Sequence, residues 1–152
     1  MILTIPRAAA LTANQRLHWR AKAERTRALR TRGRIAWQQS GLTPMDRAHL
    51  TVTLAWHDAR RRDPGNWSPT IKALVDGIVD AGALPDDDNA HLIGPDLRGE
   101  TDPTVKPGTL RLTFHSRPLT RRSATAPPSR APNPSAAGRT TGGAREAGGG
   151  VG

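Results

Sequence analysis

Large aliphatic side chains almost disappear from the sequence after His115, where Leu119 and Val151 are the only ones left in the final 37 residues. The same stretch holds seven Gly, five Pro and six Arg. A segment this poor in apolar groups cannot recover the entropy lost on ordering. The expectation is a folded part at 1–115 followed by a disordered, basic, Pro/Gly/Arg-rich tail at 116–152. Whatever builds a core and a site must come from the first 115 positions, enough for one domain.

Within those positions the apolar pattern changes period several times. Residues 2–5 read as a short strand. Residues 15–39 read as largely helical, with Gly33 a break near the middle and Leu17, Trp19, Ala28, Leu29, Ile35 and Trp37 as a buried stripe. From His49 to His57 the chain alternates, with Leu50, Val52, Leu54 and Trp56 on one face, as in a half-buried strand. Ser68 as N-cap, Pro69 in the first turn, the apolar face Ile71, Leu74, Val75, Ile78 and Val79, and Gly82 as the stop specify a second helix. Alternation returns at 108–115 through Leu110, Leu112 and Phe114. The order strand, helix, strand, helix, strand predicts an α+β domain with a small mixed or antiparallel sheet packed against helices.

Charge narrows the class of partner. The chain carries a formal +10, and 20 of its 23 basic residues are Arg, which grips phosphate through a planar fork. Such a field attracts polyanions, nucleic acid ahead of an anionic membrane surface. Between 16 and 34 eight basic residues, Arg16, Arg20 and Lys22 among them, face only Glu24. The chain has no Cys, which removes disulfides and thiolate zinc sites and leaves oxygen ligands as the metal chemistry. No apolar run approaches a membrane span, and the residues before Pro6 lack the charge pattern of a secretory signal, so a cytoplasmic, DNA-associated protein is expected, with no membrane partner.

Two acidic positions need an explanation. Asp63 stands directly after the central strand, behind Arg60, Arg61 and Arg62 and ahead of Asn66. Alone it reads as a solvated Asp-Pro-Gly-Asn turn. Asp86, Asp87 and Asp88 follow the second helix, whose C-terminal end disfavours neighbouring carboxylates unless a cation compensates them. Hydrolysis of a phosphodiester uses a divalent cation held by one or two carboxylates, a role open to Asp63, Asp86, Asp87 and Asp88. On the helix between, Lys72, Asp76 and Asp80 recur every four residues as one polar stripe. Lys72 reads equally as a surface ion pair with Asp76 and as a cation facing a scissile phosphate. The five histidines show no ligand spacing. Of the four tryptophans, Trp67 alone falls off the predicted apolar faces.

Taken together, Arg60, Arg61, Arg62, Asp63, Asn66, the run from Lys72 through Asp76 to Gly82, and Asp86 with Asp87 resemble the signature of the RusA-like Holliday-junction resolvases. The likeness extends more weakly to residues 14–20 and 110–114. It implies a RusA-like fold and a dimeric endodeoxyribonuclease that nicks opposing strands of four-way junction DNA in recombination and repair. It further implies Mg²⁺, with Mn²⁺ as a substitute, held by Asp63 and Asp87 with Asp86 and Asp88 nearby, and Lys72 assisting. Arg60, Arg61, Arg62, Asn66, Arg16, Arg20 and Lys22 would then contact DNA. Two departures stand out: Gly65 occupies the place of a second aspartate, and Lys72 lies farther from Asp63 than the pattern has it. They leave open a catalytically impaired relative that binds branched DNA without cleaving it. A basic RNA-binding protein would account for the charge and leave the acidic run unexplained.

Overall fold

A computed structural model describes residues 1–119. The elements are β1 (Ile2–Pro6), α1 (Trp19–Ser40), β2 (Ala48–Trp56), α2 (Ser68–Asp80), β3 (Leu92–Thr101) and β4 (Thr109–Pro118), with a 3-10 turn at Pro64–Trp67 leading into α2. The sheet is four-stranded in the order β1-β4-β2-β3. β4 pairs antiparallel with β1 and with β2, and β3 runs parallel to β2, so the sheet is mixed and the fold α+β. β4 continues three residues past the expected end of the folded part. From Thr120 onward the expected tail lies outside the described residues.

β2 is the central strand. Val52 and Leu54 are fully buried, and with Leu110, Leu112 and Phe114 of β4 they share one core with Ile71, Leu74 and Ile78 of α2. α2 is therefore the crossover of a parallel β2-α2-β3 unit, and it carries the acidic loop at its exit and the arginine loop at its entrance. Its N-cap is Trp67 instead of Ser68, because the 3-10 turn runs straight into the helix and draws Ser68 into helical geometry. Thr70, wholly buried, accepts from the Leu11 amide and donates to the Leu11 carbonyl, both at 2.7 Å, pinning the segment before α1 to α2.

Three expectations need correction. α1 begins at Trp19, not Gln15, and buries only Leu29, Gly33 and Trp37. Trp19 is 67 % exposed, Ile35 and Ala28 also face solvent, and the stripe is a narrow i, i+4, i+8 seam. Gly33 does not break the helix: an added Cβ would stand 2.1 Å from the Leu74 carbonyl oxygen, and one on Gly77 would stand 1.8 Å from that of Arg30. The two glycines let the backbones of α1 and α2 touch. Trp67, expected outside the core, is buried against Trp56 with ring centroids 6.1 Å apart.

Candidate active site

The solvent flank of α2 carries Lys72, Asp76 and Asp80 one helical turn apart. After Asp80 the chain turns through Gly82, whose φ of 87° favours a residue without a side chain, and the following loop comes back beside the helix. The return brings Asp87 to Lys72. The Lys72 Nζ donates to Asp76 Oδ1 at 3.0 Å and to Asp87 Oδ2 at 3.0 Å, so two carboxylates from separate elements converge on one nitrogen. The Lys72 side chain is 70 % exposed, and ion pairs this exposed contribute at most ~1 kcal/mol to stability. Folding energetics do not account for the cluster.

Its electrostatics are consistent with a fixed charge. Hydrogen bonds to Asp87 and then to Asp76 lift the Lys72 ammonium above the ordinary lysine range. The bond from Lys72 holds the Asp87 carboxyl below the usual carboxylate range. At neutral pH Lys72 is thus a cation and not a base. The cluster opens into two clefts, one of about 310 Å³ reaching toward Gly94, Pro95 and Leu97, the other of about 240 Å³ shared with Arg30, Asp80 and Asp86. A small apolar cavity between Trp37, Met45, Leu84 and Phe114 has no titratable side chain and takes no part.

The other predicted acids are held locally. Asp63 caps the 3-10 turn, its Oδ1 accepting from the Gly65 amide at 2.8 Å, and among the described residues its Oδ2 has no partner. Asp86 accepts from the Asp87 amide at 2.7 Å. Asp88 accepts from the amides of Ala90 and His91 and lies 2.7 Å from His91 Nδ1, which lowers its pKa. Among the described residues no three Asp, Glu, His or Cys side chains converge closely enough to hold a metal ion. The set Asp63, Asp86, Asp87 and Asp88 is therefore not assembled at one point, since turn amides beside Asp63, Asp86 and Asp88 take up their oxygens. Asp87 is brought instead to Lys72, which also holds Asp76. Two oxygen donors with room for water and substrate match the usual donor chemistry of Mg²⁺, with Lys72 between them.

The basic candidates also divide. Arg60 and Arg61 are exposed, as are Arg16, Arg20 and Lys22, and Arg20 lies over the Trp19 ring at 5.1 Å. Arg62 turns inward: its guanidinium pairs with Asp58 at 2.5 Å and stacks over Trp56 at 5.4 Å, leaving 12 % of the side chain exposed. Asn66 accepts from the Asn14 side chain at 3.3 Å, and its carbonyl from the Ala13 amide, so it fastens the segment before α1 to the entrance of α2. Arg30, which donates bidentately to Asp80 from across the α1-α2 contact, had no sequence signal beyond its place near Gly33. No helix among the described residues is long and apolar enough to cross a membrane. No protein-family model matches the chain, and comparison with curated proteins returns no match.

Proposed function

We propose that the protein is a Mg²⁺-dependent endonuclease of branched DNA, with the four-way junction as substrate, in the manner of the RusA-like resolvases its motif resembles. The observation that carries this reading is the convergence of Asp76 and Asp87 on Lys72 in an open cleft beside an arginine-rich helix. Asp87 and Asp76 would hold the ion; Asp63, which the motif also names, stands apart from them and would join only if the entrance loop moves on binding DNA. A bound Mg²⁺ polarises the phosphodiester and activates water. Lys72, held protonated, stabilises the negative charge that develops on the phosphate. Arg60, Arg61, Arg16, Arg20 and Lys22 bind flanking phosphates and set the register. A homodimer would present two such sites to the opposing strands, matching the two-fold symmetry of the junction.

The test is a nicking assay with purified protein and a synthetic four-way junction in Mg²⁺ or Mn²⁺. Paired nicks are expected, reduced ~100-fold or more in Asp87→Asn, with junction binding retained. Junctions left intact by the native protein in both metals would overturn the nuclease. A second reading, a relative that binds junctions without cutting them, is favoured by Gly65 and by the separation of Asp63 from the cluster. A Cβ at position 65 would stand 3.1 Å from Asp63 Oδ1, so Gly65→Asp adds a carboxylate and makes that of Asp63 give by a few tenths of an ångström. Cutting that appears only in Gly65→Asp would establish the impaired reading. No cutting in either protein would remove Gly65 as its cause.

A further inference from the structure

Beside the Lys72 cluster lies a second groove, about 230 Å³, lined by Arg27, Arg30, Thr31, Arg34 and Asp80. Arginines at i, i+3 and i+7 of α1 share one flank of the helix. Asp80 is the acid that lines the groove, and it is taken by Arg30. Among the described residues neither Arg27 nor Arg34 forms an ion pair, and both are exposed. Two unneutralised guanidinium groups in one groove repel each other, and an anion relieves that repulsion.

The groove is joined to the candidate site. Arg30 and Asp80 line both it and the cleft containing Lys72, Asp76, Asp86 and Asp87. The close approach at Gly33 and Gly77 fixes the arginine flank of α1 against the acidic flank of α2. Arg27 and Arg34 stand seven residues apart, ~10 Å along the helix, a span suited to one or two successive phosphates of a strand. The Arg30–Asp80 pair is the element that the groove and the mixed-charge cluster share.

We propose that the Arg27–Arg34 groove is a subsite for the sugar-phosphate backbone of the DNA strand whose phosphodiester lies at Lys72, with Asp80 holding Arg30 where binding and chemistry meet. The proposal rests on the nuclease reading for the identity of the ligand and makes its own demand on binding. Guanidinium-phosphate contacts release counterions, so each lost contact lowers the slope of log affinity against log salt by ~0.9.

The experiment measures binding of a fluorescent four-way junction across a salt series, together with nicking, for the native chain, for Arg27→Gln/Arg34→Gln, and for Arg25→Gln/Arg32→Gln. The helical repeat places the last pair on the other flank of α1, so both double variants change net charge equally. The expected result is a slope lowered by ~2 for each bound protomer in the groove variant and by less than half a unit in the control. Equal slope losses would mean a general field effect and overturn the subsite, as would an unchanged slope in the groove variant. Either result beside normal nicking leaves the nuclease standing. A lowered groove slope in a protein that never nicks keeps the subsite and removes the nuclease. A native chain that does not bind the junction removes both. Thermal melting of each variant checks that the substitutions, at exposed Arg27, Arg32 and Arg34 and half-buried Arg25, leave the fold intact.

Discussion

The loops at the two ends of α2 carry similar acids and use them differently. At the entrance, Asp63 gives one oxygen to the Gly65 amide and keeps the other. At the exit, Asp86 and Asp88 are held by amides within three residues, and only Asp87 reaches another element, bonding Lys72. An acid beside unpaired amides is drawn into the local turn, because such bonds need little extra chain ordering. A carboxylate that leaves its own loop for a lysine on a neighbouring helix is the one whose position folding must specify. The contrast ranks the acids as Asp87, then Asp63, then Asp86 and Asp88.

The ranking is tested most sharply by charge-removing substitutions that preserve the turns. Asn retains a side-chain oxygen that accepts from the same amide, so Asp63→Asn, Asp86→Asn and Asp88→Asn remove charge and leave the turn bonds in place. Nicking in Mg²⁺ is expected to fall ~100-fold for Asp63→Asn and to change less than ~3-fold for Asp86→Asn and Asp88→Asn, with melting temperatures unchanged. Full activity in Asp63→Asn would confine the site to the exit side of α2. Loss of activity in Asp88→Asn would show that the acids held locally in this fold are released on binding DNA.

Where period and caps agree, the sequence was readable. β1, β2, β4 and α2 lie close to their expected places because alternation or a 3.6-residue face coincides with Gly or Pro punctuation. β3 went unseen because Gly94, Pro95 and Gly99 spoil its alternation. It lies at the sheet edge, where a Pro without an amide hydrogen is tolerated, and pairs with β2 through an irregular register near His49. In the site, the motif named Lys72 and Asp87, and the helical stripe put Asp76 beside Lys72. That the exit loop folds back along α2, and that Arg62 leaves the cationic patch for Asp58 and Trp56, depends on contacts between elements that no local pattern records.

Gly33 is the instructive misreading, since a mid-helix glycine costs ~1 kcal/mol against Ala and invites the idea of a break. Here it and Gly77 set the distance between the arginine flank and the acidic flank. Gly77→Ala gains helix propensity and forces a methyl group to within 1.8 Å of the Arg30 carbonyl oxygen, so the helices must separate. The expected net cost is about 2 kcal/mol, a drop of ~10 °C in the melting midpoint. The Arg30–Asp80 pair should loosen with it, while Gly82→Ala, at a turn with open space around it, strains only its own positive φ. A Gly77→Ala melt at or above the native midpoint would mean that the helices yield freely and that their spacing does not fix the site.

The smallest expected effect separates the exit loop from the turn between β3 and β4, where charge is organised within the single segment 100–111. Asp102 accepts from the Thr104 hydroxyl at 2.6 Å and from its amide at 2.8 Å, and pairs with Arg111. These partners, the Thr104 hydroxyl first, hold its carboxyl at about 2. Because the folded value lies below the ordinary ~3.9, the contribution of Asp102 is complete above that pH and is lost as pH falls toward 2. Lys72 carries the opposite sign: its raised value keeps its contribution complete below the ordinary lysine range and loses it at more alkaline pH. A titration followed by the Thr104 amide resonance should therefore move near pH 2, stay flat through neutrality, and disappear in Asp102→Asn, with Arg111 left to its longer pairing with Glu100. A midpoint at the ordinary aspartate value would mean that the turn opens before it titrates. The exit loop would then be the more firmly held of the two charged regions, despite having the longer reach.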